Sequence, residues 1–255
     1  MDFLISAHSD IGIKKSTNQD SVLIQVANTN YGKVAFAVIC DGMGGLAKGE
    51  LASATLITAY AEWFTNDFPA LLAEGFAENK LFYEWGTIVS DTNKKITEYG
   101  NRNRLQLGTT LTALLLFEGR YYCINVGDSR TYRVNETLEQ ITKDQTYIQR
   151  EMDMGRMTLE EAKKDPQRNV LLQCVGASNV VVPDYFSGEI MMNDVYMLCS
   201  DGFRHIITPE ELYAYLNASS AQNEQEMNEN LVYLTELNKY RHEDDNISVA
   251  LIKVI

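Results

Sequence analysis

This chain is short of the residues that staple, kink or chelate. Its 255 residues include only four prolines, three histidines and four cysteines. The cysteines, Cys40, Cys123, Cys174 and Cys199, lie in or beside apolar runs without CxxC spacing. That pattern disfavours a disulfide framework or a zinc site and predicts buried, reduced thiols. No stretch approaches the roughly 20 apolar residues of a membrane span, and the opening Met1-Asp2-Phe3-Leu4-Ile5 lacks the basic flank of a signal peptide. A cytoplasmic chain without a membrane partner is the expectation. Positive charge is also scarce: 22 basic against 35 acidic residues give −13, which opposes general affinity for nucleic acid. Neither a GxxxxGK[ST] loop, nor a strand-borne GxGxxG, nor EF-hand spacing is present. Those absences count against a nucleotide phosphoesterase and against a calcium-stabilised structural protein.

What is present is a set of apolar runs long enough to be buried strands: Phe3 to His8, Ser21 to Val26, Val34 to Cys40, Thr109 to Phe117, Tyr121 to Val126, Ser129 to Val134, Val180 to Phe186, Val195 to Cys199 and Ile247 to Val254. Helical spacing occurs at Ala52, Leu56, Ala59, Tyr60 and Trp63, at Leu81, Trp85, Ile88 and Ile96, and at Met227, Leu231 and Leu234. Helices are grouped rather than placed between every pair of strands, which predicts an α+β layered protein with mostly antiparallel sheet. Gly119-Arg120 and Asn135-Glu136-Thr137 read as hairpin turns. Thr208-Pro209-Glu210-Glu211 and Thr158-Leu159-Glu160-Glu161 read as capping boxes that start helices. Residues 144–169 are charged and broken by Gly155 and Pro166, as a surface flap would be. With no linker or repeat, residues 1–255 are expected to form one domain.

Acidic residues recur where apolar runs end: Asn18-Gln19-Asp20, Asp41-Gly42-Met43-Gly44-Gly45, Gly127-Asp128-Ser129-Arg130, Ser200-Asp201-Gly202 and Asp244-Asp245-Asn246. One Asp-Gly after a strand is an ordinary turn signal. Several carboxylates at strand ends, where a rigid sheet meets water, could converge into a cage of hard oxygen ligands for divalent cations.

These motifs, in order from Gly12 to Asn246 and with the Gly108-Thr109-Thr110 and Leu171 to Gly176 segments, resemble those of the PPM (type 2C) metal-dependent serine/threonine protein phosphatases in their compact bacterial form. The resemblance implies a four-layer αββα sandwich, two mostly antiparallel sheets flanked by helices, with metals in a cleft at one end. It implies two Mg2+ or Mn2+ ions, with a third bound more weakly. Asp41 resembles the carboxylate that bridges two metals, Gly42 the donor of a backbone carbonyl, and Asp201 and Asp245 the remaining direct ligands. Asp20 resembles a carboxylate holding metal-bound waters, and Asp128 the partner of Asp201 at the third ion. The implied chemistry is hydrolysis of phosphoserine and phosphothreonine in proteins by a metal-bridging hydroxide, without a phosphoenzyme. Phosphoprotein substrates and a cognate serine/threonine kinase are the implied partners.

The chain departs from the family pattern at two places. Lys15 stands where an Arg usually grips the substrate phosphate, a point charge in place of a two-pronged donor. Met43 stands where some members, eukaryotic ones in particular, carry His; bacterial relatives resemble this chain in having Met there. Arg130 and Arg204 read as structural partners for the acidic cluster, His8, His205 and His242 as structural histidines, and Met152, Met154 and Met157 as contacts of the flap. The main rival is a catalytically silent phosphatase-like binding or regulatory module, against which the intact Asp20, Asp41, Asp201 and Asp245 argue.

Overall fold

Along the strand β3 (Gly32–Gly44), Val34, Phe36, Val38 and Cys40 alternate with Ala35, Ala37 and Ile39, and the two sets enter different cores. The period of two sends successive side chains to opposite faces, so an uninterrupted apolar run requires a sheet covered on both sides. The computed structural model describes residues 1–44 and 48–255. Gly45, the last residue of the Asp41 motif, lies outside the described residues.

The remaining strands are β1 (Phe3–Asp10), β2 (Asp20–Thr29), β4 (Leu107–Thr109), β5 (Leu111–Phe117), β6 (Arg120–Val126), β7 (Arg130–Val134), β8 (Leu138–Gln140), β9 (Asp184–Glu189), β10 (Val195–Cys199) and β11 (Ile247–Val254). Among the described residues they form a five-stranded sheet, β1-β11-β10-β7-β8, and a six-stranded sheet, β2-β3-β5-β6-β9 with β4 paired to β3. Every pairing is antiparallel.

Between the sheets lie Phe3, Ala35, Ile39, Leu114, Tyr196, Leu198 and Ile252. Helices α1 (Gly49–Glu62), α2 (Phe68–Ala73) and α3 (Glu78–Asn103) cover the outer face of the larger sheet, with Leu56, Tyr60 and Trp85 packed on Phe36 and Val38. A π-helical turn, Trp63–Asp67, joins the first two. After the short flap helices α4 (Tyr147–Asp153) and α5 (Leu159–Ala162) come α6 (Asp201–Arg204), α7 (Pro209–Leu216) and α8 (Glu224–Tyr240). Those last three cover the smaller sheet through Phe203, Leu212, Leu216 and Leu231. The result is the α+β sandwich expected, helix, sheet, sheet, helix. Each fully buried large apolar side chain contributes roughly 1.5–3 kcal/mol. Among the described residues, no helix is long and apolar enough to cross a membrane.

Both capping boxes form, with Pro209 in the first turn of α7. Glu118 and Gly119, both at positive φ, close the β5–β6 hairpin, and Asn135 to Thr137 separate β7 from β8. The four cysteines are buried and free.

Three strand expectations need correction. β3 does not stop at Cys40 but runs on through Asp41 and Gly42, because β2 pairs with it at Asp20 opposite Asp41 and β4 takes over at Thr109 opposite Gly42. The Thr109 to Phe117 run is two strands, parted at Thr110, whose N–H turns to the Asp41 carbonyl at 2.9 Å. The Val180 to Phe186 run becomes strand only at Asp184, just past Pro183, which has no N–H to give a ladder. Val180 and Val182 are exposed, and Gln173 binds the Val182 backbone through both its side-chain atoms. The short strand Leu138–Gln140 carried no apolar run and was not anticipated.

Candidate metal centre

The inter-sheet core turns polar at one end of the sandwich. Following the inward register of β3 past Ala37 and Ile39 leads to Asp41, and following β5 back from Leu114 leads to Thr112 and Thr110. On β10 and β11 the same alternation leads from Leu198 to Ser200 and from Ala250 to Ser248. These hydroxyls are paired, Thr112 with Thr131 at 2.8 Å and Thr110 with Ser129 at 2.7 Å between the sheets, and Ser248 with the exposed Ser9 at 2.8 Å on the neighbouring strand of the smaller sheet. The Asp41 N–H donates to Thr110 Oγ1 at 3.0 Å, so the hydroxyl ladder holds the backbone of the central carboxylate.

The anticipated carboxylates converge on this end. Asp20 lies directly opposite Asp41 in the β2–β3 register. Asp128 comes from the β6–β7 connection, Asp201 from the first position of α6, and Asp245 from the turn into β11. Their charges act on one another. Burial, and then the charges of Asp20, Asp201, Asp128 and Asp245, raise the Asp41 carboxyl well above the usual carboxylate range. Burial pushes Asp20 up to about 7, with Asp201 and Asp245 adding to the rise and the Ser248 and Ser200 hydroxyls opposing it. Asp128 also rises to about 7, through burial and Asp201, partly offset by the Arg204 guanidinium. An acidic cluster this dense favours a cation in its midst.

At this end of the sandwich two buried carboxylate oxygens, Asp20 Oδ2 and Asp201 Oδ1, have no hydrogen-bond partner among the described residues. Hard divalent ions take carboxylate, carbonyl and water oxygens, so this donor set fits Mg2+ or Mn2+. Among the described residues, no three His, Cys, Asp or Glu side chains already form a closed ligand array. The five carboxylates nonetheless lie near enough for their charges to raise the pKa of Asp41, Asp20 and Asp128. At the rim of the cluster, the Lys15 ammonium holds Asp245 Oδ1 at 2.7 Å. Burial works against the charged lysine, but the Asp245 hydrogen bond and the charges of Asp245, Asp41 and Asp201 outweigh it and raise the Lys15 pKa. Neighbouring Lys14 pairs with Asp244 at 2.6 Å on the open surface.

Close backbone packing sets the positions. A Cβ on Gly42 would collide with the carbonyl oxygens of Gln19 and Gly49, so the strand carrying Asp41 packs directly on the start of α1. A Cβ on Gly202 would strike the Asn246 carbonyl and come within 3.2 Å of Asp245 Cβ, so Asp201 and Asp245 are held by touching backbones.

The structure adds residues to which the sequence assigned no role. Asn246, buried, accepts the Gln19 N–H at 2.9 Å and donates to the Ile11 and Thr17 carbonyls at 2.9 and 3.2 Å. It thereby pins the loop that carries Lys15 beside Asp245. Asp144 takes a two-pronged pair from Arg130 at 2.7 and 2.6 Å and faces Arg204 at 3.6 Å. Arg204 also donates to the Asp128 carbonyl at 2.9 Å, so both arginines are structural partners, as expected. The only signal for Asn246 was its adjacency to Asp245, and Asp144 gave none.

His8 is a strand residue opposite Val249, and His242 turns the chain at positive φ after α8. His205 instead stands between two carboxylates, with Nε2 3.5 Å from Asp201 Oδ2 and Nδ1 3.6 Å from Glu243 Oε2.

Residues 12–235 match the family model described as protein phosphatase 2C. The chain is 32% identical over 253 residues to the serine/threonine protein phosphatase PstP of Mycobacterium tuberculosis. It covers 98% of itself and 45% of that relative, so it spans about half that protein's length. It is 31% identical to a protein phosphatase 2C-type protein of Streptococcus pyogenes, covering 97% of itself and 96% of the relative. Among solved structures, a serine/threonine phosphatase of S. agalactiae superposes with a TM-score of 0.84 at 28% identity, over 100% of both chains. The PstP catalytic domain in complex with two manganese ions superposes with a TM-score of 0.77 at 30% identity, over 99% of this chain and 98% of that one.

Proposed function

Because the chain belongs to the protein phosphatase 2C family of serine/threonine protein phosphatases, we propose that its carboxylate cluster is a divalent-metal site that hydrolyses phosphoserine and phosphothreonine in proteins. The observation that carries this reading is the pair of buried, unpartnered carboxylate oxygens on Asp20 and Asp201 inside a cluster of mutually repelling acids. Asp41, Asp201, Asp245 and the Gly42 carbonyl are the proposed direct ligands. Asp20 would hold water beside the ions, and Asp128 with Asp201 would hold a third, weaker ion. When bound, Mg2+ or Mn2+ supplies Lewis acidity at the phosphoryl oxygens and an activated water for attack at phosphorus, so no protein nucleophile is needed.

The chain's own residues prepare that chemistry. The Thr110–Ser129 hydroxyl pair, and the Ser200 hydroxyl that accepts the Ser248 N–H at 3.0 Å, fix the backbones from which the ligands project. Lys15, at the rim and paired with Asp245, would be the group to hold the substrate phosphate. Residues 1–255 act as one catalytic unit, with residues 144–169 as its flap. A cytoplasmic serine/threonine kinase supplies the phosphoproteins.

Phosphate release from a phosphothreonine peptide with Mn2+ tests this reading. Release that is abolished by a chelator and by Asp41→Asn is the expected result. No release under any divalent ion would favour the silent regulatory module, and release from nucleotides alone would favour a small-molecule phosphoesterase.

A further inference from the structure

Glu243 belongs to none of the acidic motifs, yet it is only 7% exposed in a turn whose neighbours Arg241, His242 and Asp244 face solvent. A buried carboxylate must be matched by donors. Its Oε1 accepts the N–H of Asp244 at 2.9 Å and the N–H of Asp245 at 3.1 Å. Its Oε2 faces His205 Nδ1 at 3.6 Å, and the opposite ring nitrogen faces Asp201 Oδ2 at 3.5 Å. Those two separations are within ion-pair range but long for hydrogen bonds.

The backbone of Glu243 is fixed as well: its N–H donates to the Asn238 carbonyl at 3.0 Å, and Asn238 Nδ2 donates to the Phe203 carbonyl at 2.9 Å. Through its backbone and its side chain together, Glu243 therefore ties the end of α8, the residue that ends the short helix α6, and the turn before β11. It reaches Asp245 through the backbone and Asp201 through an imidazole.

We infer that Glu243 is a positioning residue that sets the separation of Asp201 and Asp245 and thereby the site's affinity for divalent ions. This inference rests on the reading of those two carboxylates as metal ligands. Groups that hold ligands in place typically change metal affinity by about 10–100-fold when removed.

Mn2+ titration of the full chain, followed by the electron paramagnetic resonance signal of the free ion, tests it without relying on turnover. Glu243→Ala weakens Mn2+ binding by about 10–100-fold. Glu243→Gln, which keeps an oxygen acceptor for both N–H groups, recovers most of that loss. With a phosphopeptide, the penalty falls on the Mn2+ concentration needed for half-maximal rate rather than on kcat. Wild-type affinity in Glu243→Ala overturns the inference, and so does a Gln variant as weak as the Ala variant, which would make charge rather than placement the cause. If circular dichroism shows Glu243→Ala unfolded, Glu243→Asp decides in its place: weaker Mn2+ binding supports the inference, and equal binding overturns it. A wild type that binds no Mn2+ brings down the metal-site reading, and the inference with it.

Discussion

The Lys15 ammonium and the Asp245 carboxylate meet at 2.7 Å on the rim of the acidic cluster, both partly exposed. A lysine there can neutralise a ligand in the metal-free protein or grip a phosphate in the loaded one. The two roles separate on mutation. Lys15→Met lowers kcat/KM for a phosphothreonine peptide by about tenfold or more, the loss of one charge-assisted hydrogen bond of about 1.5–3 kcal/mol. Mn2+ binding does not weaken in the same variant, because the competing cation has been removed. Steady-state kinetics beside Mn2+ titration check the pair, and an unchanged kcat/KM would leave Lys15 as a neutralising partner alone.

Asp41→Asn should have opposite effects with and without metal. Asp41 is buried among Asp20, Asp201, Asp128 and Asp245, so removing its charge relieves repulsion in the metal-free protein. Thermal unfolding in chelator shows the variant melting higher than wild type, by about 2–4 °C for each kcal/mol relieved. Added Mn2+ raises the wild-type Tm by mass action and leaves the variant nearly unmoved.

Gly42→Ala tests the backbone contact behind the site. The added methyl meets the Gln19 and Gly49 carbonyl oxygens, neither of which is a flexible side-chain end. Overpacking of this kind costs about 1–3 kcal/mol. Urea unfolding in chelator shows that loss, and the Mn2+ affinity falls as Asp41 is displaced from its neighbours.

Away from the site, the Glu211–Arg241 pair gives stability a defined pH dependence. Arg241 grips the Glu211 carboxylate at 2.6 and 2.8 Å, and the Thr208 N–H adds a third donor. Together they hold its pKa at about 2, below the ordinary 4.5. A depressed folded pKa means that the stabilisation is complete above 4.5 and fades as pH falls toward 2. The stability gap between wild type and Glu211→Gln, measured by urea unfolding, is therefore full at pH 6 and closes across that acidic window.

Much of the layering was legible because it depends on local pattern. The alternation in Val34 to Cys40 and the 3.6-residue spacing of Leu81, Trp85, Ile88 and Ile96 each specify a covered face. Thr158, Thr208 and Gly119 mark their turns by chemistry that needs no distant partner. The misses are places where a remote segment decides. β3 extends past Cys40 because Asp20 of β2 pairs with Asp41 and β4, more than sixty residues later, pairs with Gly42 to Gly44, and Pro183 with Gln173 keeps Val180 and Val182 out of a strand.

The site divides in the same way. Asp20, Asp41, Asp128, Asp201 and Asp245 are marked by motifs at strand ends, and in the fold their charges raise the carboxyls of Asp20, Asp41 and Asp128 at one end of the sandwich. Asn246, Asp144 and Glu243 were not assigned roles, since what each side chain holds is a backbone or guanidinium far away in sequence or hidden in a turn.

The most direct test is anomalous diffraction from crystals of the protein grown with Mn2+. The account predicts two strong manganese peaks flanking the Asp41 carboxylate, with Asp201, Asp245 and the Gly42 carbonyl among their ligands. Peaks only at surface acids such as Asp244, or none within reach of Asp41, would contradict it.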